Sequence, residues 1–499
     1  MTPVETAILG AYFFILVILA AYGWHRYYLV YTYMRHRHEV PEPRARFEDL
    51  PVVTIQLPFY NEMYVAERLI DSVCRIEYPR DRLEIQVLDD STDETQTVAR
   101  RAVERQRELG VDITYIHRTD RSGYKAGALD AGLGEARGDF VAIFDADFVP
   151  TSDFLLRTIH HFTDPKVGMV QARWGHVNQD YSLLTKVQSI LLDAHFVLEH
   201  GARNRAGLFF NFNGTAGIWR REAIASGGGW QHDTLTEDLD LSYRTQLRGW
   251  RFVFLPDLVA PAEVPVEMNA FKSQQHRWAK GSIQTCRKLL PRILASDQPF
   301  AIKREAFFHL TANFNYLLMV ALSILMFPSM VIRYNMGWYE MLLIDVPLFM
   351  AATFSVGNFY VVCQRELYKD WVARLKCLPF LMAVGIGLAV NNTKAVVEAL
   401  LDHQSEFART PKYGVQRAGS DDWLGKRYRQ TLHLQPLIEL ALGLYFSWTV
   451  LYALGAGIYG TLPFLVLFQV GFLYMGVVSI VQQYAPGHVV LKTQVAGGK

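Results

Sequence analysis

Two aspartates one residue apart, Asp145 and Asp147, directly follow the apolar run Val141-Ala142-Ile143-Phe144. In an extended chain residues i and i+2 point the same way, so both carboxylates can face one hard divalent cation and the oxygens of a diphosphate. Asp-x-Asp is short, and the same residues also read as a solvated turn after a strand. Two other strand-like runs end on acids: Asp89-Asp90 follows Ile85-Gln86-Val87-Leu88, and Pro58-Phe59-Tyr60-Asn61-Glu62 follows Val52–Leu57. Carboxylates gathered at neighbouring strand ends repel one another unless a cation, or donors such as ribose hydroxyls and a base, intervene. Asp90 suits a nucleoside contact, or a helix cap. Lys125, within Gly123-Tyr124-Lys125-Ala126-Gly127, is a phosphate partner or a solvated lysine.

Farther along, Thr234-Leu235-Thr236-Glu237-Asp238-Leu239-Asp240 sets carboxylates at a helix start. They complement the helix dipole there; the alternative is that Asp238 is a general base taking a proton from an attacking hydroxyl. Phe209 to Gly217 mixes aromatics, amides and glycines, a composition suited to a sugar surface or a tight loop. Gln274 and Arg277 share a helical face with Trp278 one residue on, so amide, guanidinium and indole can converge on one ligand. Indole faces stack on sugars and Arg donates to diphosphates. The same helix also reads as a basic membrane-surface segment, because Arg287, Lys288 and Arg292 alternate with Leu289, Leu290, Ile293 and Leu294.

The elements that must position these groups follow from periodicity. Strands are expected at 52–57, 85–88, 113–116 and 141–144, with helices at 67–74, about 94–109 and 125–133 between them. Strand–helix alternation predicts an α/β fold with a mostly parallel sheet and right-handed crossovers, a nucleotide-binding architecture. Ligands of such sheets bind at the carboxyl ends of the strands, where the acids fall.

With Lys+Arg 50 against Asp+Glu 49 the formal charge is +1, which excludes bulk attraction to nucleic acid. The 51% apolar content is unevenly placed. The run from Ile8 to Val30 is long enough for one crossing, and the basic residues after it place the next domain in the cytoplasm. Further spans are expected at about 307–332, 340–363, 436–456 and 461–482. Basic residues flank 378–400 on both sides, so that stretch is expected to lie in the interface or re-enter, giving about five crossings. The resulting division is a membrane helix with its flank (1–40), a cytoplasmic catalytic domain (41–300), and a membrane region (301–499) with a mobile loop at about 403–430. Cys74, Cys286, Cys363 and Cys377 have neither a metal-site spacing nor a paired pattern, consistent with a reducing compartment.

Taken together, these motifs resemble the membrane-embedded family 2 glycosyltransferases, the cellulose synthase group, and within it the cellulose synthase-like A and C proteins. The resemblance runs from about Pro51 to Trp278 through Gln56–Glu62, Gln86–Asp93, Gly123–Leu129, Val141–Phe148, Val170–Trp174, Phe212–Arg220 and Gln274–Trp278; Phe407–Lys412 looks like the family's gating loop. It implies a GT-A-type nucleotide-sugar-binding domain inserted between transmembrane helices. It also implies an inverting, metal-dependent enzyme that moves a sugar from UDP-glucose or GDP-mannose to a growing β-glycan, processively and with export. Glu62, Asp90, Lys125, Asp145 and Arg277 would bind the nucleotide sugar, and Asp145 and Asp147 would hold Mg²⁺ or Mn²⁺. Asp238 would be the base, and Phe212, Asn213, Gly214, Gln274 and Trp278 would meet the acceptor. Expected partners are the nucleotide sugar, the glycan and membrane lipids, with accessory export proteins and without nucleic acid; the expected site is the inner or plasma membrane, or the Golgi membrane in a eukaryote. Where cellulose synthases carry a cysteine-bearing Phe-x-Cys-Gly-Ser motif, this chain has Phe212-Asn213-Gly214-Thr215, which favours the cellulose synthase-like branch. Single-sugar transfer to a membrane lipid is the competing expectation, followed by an inert polysaccharide conduit and a phosphoryl transferase using Asp145 as nucleophile.

Overall fold

The computed structural model describes residues 1–404, 409–415, 423, 426 and 434–484, with backbone alone for 339–346 and 484. Helix α1 (Pro3–His36) opens the chain, and its Thr2 cap exchanges hydrogen bonds with Glu5 in a capping box. A seven-stranded sheet then forms from β1 (Val53–Phe59), β2 (Leu83–Asp89), β3 (Ile113–His117), β4 (Phe140–Ile143), β5 (Val167–His176), β6 (Gly217–Arg220) and β7 (Arg251–Ala262). Its order is β3-β2-β1-β4-β6-β5-β7. The pairs β1–β2, β1–β4, β2–β3 and β5–β7 are parallel, whereas β6 runs antiparallel to both β4 and β5.

Every residue of β1, β2 and β4 is buried, as expected of parallel strands covered on both faces. On one face Val53, Ile55, Leu57 and Phe59 pack with α2 (Ala66–Val73) and α3 (Thr95–Glu108). On the other, Val141 and Ile143 pack with Leu129 of α4 (Tyr124–Glu135), Ile224 of α8 (Arg221–Ser226) and Leu241 of α9 (Glu237–Leu247). Between β4 and β6 lie α5 (Phe154–Thr158), α6 (Leu183–Ala194), a π-helical turn (His195–His200) and α7 (Gly201–Arg205).

The 28-residue helix α10 (Met268–Ala295) leads from the sheet to α11 (Phe300–Thr311) and the apolar helices. These are α12 (Phe314–Asn335), α13 (Tyr339–Leu367), α14 (Trp371–Arg374), α15 (Leu378–Gly387), α16 (Ala389–Leu400), α17 (Gln435–Gly455) and α18 (Leu462–Tyr484). Among the described residues five stretches are long and apolar enough to cross a membrane: Pro3–His36, Phe314–Asn335, Trp371–Leu400, Gln435–Gly455 and Tyr459–Gln483. Four of these overlap the spans expected at 8–30, 307–332, 436–456 and 461–482, and the span expected at about 340–363 falls in α13, where 339–346 are described by backbone alone. Residues 371–400, which include the 378–400 stretch expected to lie in the interface or re-enter, have the length and hydropathy of a span and fold as a succession of short helices rather than one. All four cysteines are free thiols.

Candidate active site

One cavity at the carboxyl ends of β1, β2 and β4 brings together Glu62, Asp90, Lys125, Asp145, Asp147, Asn213, Gly214, Asp238, Gln274, Arg277 and Trp278. Of the twelve residues expected to bind the nucleotide sugar, the metal or the acceptor or to act as base, only Phe212 stays outside its wall. Its ring is fully buried and meets Trp219 edge-on at 5.6 Å, so it packs the loop from behind.

The two aspartates of Asp89-Asp90 differ in environment. Asp89 is fully buried and accepts from Ser91 N (2.9 Å) and Tyr115 Oη (2.6 Å), which fixes the turn after β2. Asp90 faces the cavity and is gripped by Arg118, whose Nε and Nη2 donate at 2.8 and 2.6 Å. Arg118 also donates to the carbonyl of Tyr124 (3.1 Å), so one guanidinium ties the Asp90 carboxylate to the start of α4. Neither Arg118 nor the pairing of Tyr60 with Arg121, whose guanidinium lies 3.3 Å from the ring centre at the cavity edge, was legible in the motif spacing.

Lys125 sits in the first turn of α4, where Gly127 allows the close packing: a Cβ there would fall 2.2 Å from the Ser122 carbonyl. Its Nζ donates to Asp145 Oδ1 and to the carbonyl of Gly214 (2.9 Å). Burial works against the lysine charge, but Asp145, Glu237 and Asp238 outweigh it and raise the pKa. Gly214 has φ +78°, and a Cβ there would lie 3.0 Å from Asp238 Oδ2 and 3.4 Å from Lys125 Nζ, so a side chain would intrude between acid and lysine.

Asp238 occupies the second position of α9, and its Oδ1 accepts from Leu239 N at 2.8 Å. Burial, reinforced by the adjacent Glu237, pushes its pKa up to about 7 against the pull of Lys125. Asp240, two positions on, is a structural acid: it is fully buried and paired with Arg244 and Lys288. The start of α9 is braced by α10, where Gln284 accepts from Leu235 N (2.9 Å) and Gly281 abuts Thr236. The same helix carries Gln274, Arg277 and Trp278, which line the cavity together with Asp238.

Residues 409–415 lie across the cavity. Arg409 pairs with Glu62 (3.3 Å), and Lys412 Nζ donates to Asp147 Oδ2 (2.7 Å) and to the carbonyl of Glu263. The Glu263 carboxylate accepts from Tyr413 N (2.9 Å) and Gly414 N (2.8 Å), holding the segment down. Burial raises the Glu62 pKa to about 7 despite Arg409. Phe407 lies outside the described residues.

Among the described residues no cluster of three His, Cys, Asp or Glu side chains forms a metal cage. Asp145 and Asp147 alone suit Mg²⁺ or Mn²⁺ all the same, since such ions are held by one or two carboxylates together with substrate phosphates. Asp145 is partly solvent-accessible and its Oδ2 is not the atom Lys125 engages, so an oxygen remains for such a ligand.

Residues 51–281 match a family model described as glycosyltransferase like family 2. Glucomannan 4-beta-mannosyltransferase 7 of Arabidopsis thaliana is 33% identical over 455 residues, spanning 87% of this chain and 78% of that protein. The chain belongs to glycosyltransferase family 2. A second family 2 relative, glucomannan 4-beta-mannosyltransferase 1 of Cyamopsis tetragonoloba, is 35% identical over 417 residues, or 80% of this chain and 76% of its own length. A solved mannosyltransferase from Pyrobaculum calidifontis, in complex with GDP-Man and Mn²⁺, aligns with 80% of this chain and 99% of its own at a TM-score of 0.52 and 22% identity. That likeness supports the GT-A fold of this family 2 glycosyltransferase.

Proposed function

We propose that this glycosyltransferase transfers mannose from GDP-mannose to the end of a growing β-linked glycan, inverting the anomeric centre. The observation that carries the reading is the convergence of Asp145, Lys125, Gly214 and Asp238 on one cavity that Gln274, Arg277 and Trp278 also line. The names of the relatives at 33% and 35% identity support mannose over glucose and a 4-linked product.

Asp90, held by Arg118, accepts from the nucleoside, and the cationic Lys125 and Arg277 face the diphosphate. Asp145 and Asp147 would hold a divalent cation, which when bound would supply charge neutralisation for the departing nucleoside diphosphate. Asp238 removes the acceptor hydroxyl proton as the oxygen attacks C1. Attack opposite the leaving group turns an α-linked donor into a β-linkage. Burial suits Asp238 to act as the base, because a carboxylate titrating near neutrality takes up the proton more readily than an exposed aspartate would. Trp278 offers an indole face on which an acceptor sugar stacks. The first segment (1–40) and the apolar region (301–499) anchor a cytoplasmic catalytic unit (41–300) and pass the chain outward; the basic flank after α1 supports that sidedness.

The test is Asp238→Asn in the full chain. Transfer from GDP-mannose should fall by about 10²- to 10⁴-fold, while GDP binding with Mn²⁺ stays within about twofold of wild type. Unchanged turnover removes the base assignment, and lost GDP binding shows that Asp238 serves the nucleotide instead.

A further inference from the structure

Asn213 is held by two histidines, and their hydrogen bonds leave one orientation for its side-chain amide. His200 Nε2 lies 2.9 Å from the carbonyl oxygen of Asn211 and 2.7 Å from Asn213 Oδ1. The Asn211 carbonyl only accepts, so His200 Nε2 carries a hydrogen and Asn213 must turn its oxygen towards it. The amide nitrogen then faces His195 Nε2 at 3.0 Å, which has to accept. His195 therefore carries its hydrogen on Nδ1, where it donates to Glu199 Oε2 at 2.8 Å. Burial, with His195 and Arg203 beside it, keeps the His200 ring well below the ordinary histidine range and hence neutral. The Nδ1 atom of His200 is buried without a hydrogen-bond partner among the described residues, and in this tautomer it carries no hydrogen that would need an acceptor.

Both histidines come from the π-helical turn His195–His200, a rare geometry that often marks functional positions. The chain of contacts continues away from the cavity. Glu199 also meets Arg203 Nη1 (3.4 Å), Arg203 Nε donates to Glu305 Oε1 (2.9 Å), and Glu305 Oε2 meets His25 Nε2 of α1 at 2.8 Å. The amide in the cavity wall is thus braced as far as the first apolar helix.

We propose that His195 and His200 are positioning residues that fix the Asn213 amide for a hydroxyl of the acceptor glycan, leaving its second amide hydrogen as the donor. This rests on the glycan-transfer reading above. An unfixed amide presents donor and acceptor in either order, so the loss should fall on the acceptor and spare the nucleotide.

The experiment titrates β-1,4-mannotetraose and, separately, GDP with Mn²⁺ into the full chain in detergent micelles, for wild type, His195→Leu and His195→Gln. The leucine removes the acceptor atom at similar bulk, whereas the glutamine oxygen can stand where Nε2 stood. We expect His195→Leu to bind the tetrasaccharide about 10-fold more weakly, with GDP binding within about twofold, and His195→Gln to recover to within about threefold of wild type. Tetrasaccharide binding unaffected by His195→Leu, an equal loss of GDP, or a glutamine variant no better than leucine each overturns the proposal. Wild-type transfer from GDP-mannose, assayed in parallel, separates this from the parent reading. Transfer without the variant effect sinks the positioning role alone, and wild type that neither transfers nor binds the tetrasaccharide sinks both.

Discussion

At the scale of single residues, the site depends on buried charges that hold one another in place. The raised pKa of Asp238 has two consequences with definite signs. Its carboxylate forms only as pH rises through about 7, so transfer should climb across that range. A carboxyl whose folded pKa lies above its unfolded value contributes stability that is full below the unfolded pKa and lost as pH rises through the folded one. Asp238→Asn should therefore melt above wild type by a margin that widens from pH 5 to pH 8, measured by thermal denaturation; a margin that shrinks over that range contradicts the burial argument. Arg118 is the second case. Hydrogen bonds to a charged partner contribute about 1.5–3 kcal/mol, so Arg118→Met should weaken GDP binding by about 10- to 100-fold in a calorimetric titration. Equal affinity would mean that Asp90 needs no brace. The acids were legible because strand ends announce themselves in sequence, and the spacing Asp145-x-Asp147 survives folding unchanged. Arg118, His195 and His200 were not, because their partners lie 28, 18 and 13 positions away, across strands and turns that no local period encodes.

At the scale of elements, β1 to β4 follow the sequence expectation to within one or two residues at most ends, since continuous apolar runs bounded by turns leave little else for a buried strand to be. The other half of the sheet was hidden for identifiable reasons. β6 is four residues long and antiparallel, and β7 carries Pro256 where its pairing with β5 shifts register between Ala172 and Arg173, with Pro261 farther along the strand. The contact of α9 with α10 gives a prediction of its own. A Cβ on Gly281 would lie 2.6 Å from Thr236 Cγ2 and 2.8 Å from its backbone nitrogen. Gly281→Ala should push the helices apart, costing about 1–3 kcal/mol in denaturation and lowering kcat by displacing Asp238. A variant with wild-type stability and rate would show that the two helices do not set the base.

Across the whole molecule, α10 joins the catalytic sheet to the apolar helices, and one buried ion pair secures that joint. Lys272, two residues before Gln274, donates to Glu439 of α17 (2.5 Å) and to Ser479 of α18 (2.7 Å). Removing one member of a buried pair leaves the other charge stranded, at about 3–5 kcal/mol. Lys272→Met should therefore destabilise the protein in detergent by that amount, while Lys272→Met with Glu439→Leu recovers most of it. Failure of the double variant to recover would assign Lys272 a role beyond the pair. The apolar helices themselves were legible from length and hydropathy; at 378–400 basic flanks argue for the interface while hydropathy suits a span, and the stretch folds as a broken series of helices. The segment at 409–415, likened in sequence to a gating loop, ties back to the site through Glu62 and Asp147, ion pairs that the motif itself does not encode.

The central claim, mannosyl transfer to a growing β-glycan, is tested most directly by supplying the purified full chain with radiolabelled GDP-mannose and, in parallel, UDP-glucose, with Mn²⁺ present, and digesting the product with an endo-β-1,4-mannanase. A long polymer made from GDP-mannose and cut by that enzyme is the predicted result. Label incorporated only into lipid-extractable material bearing one or two sugars, or no incorporation from GDP-mannose, would contradict it.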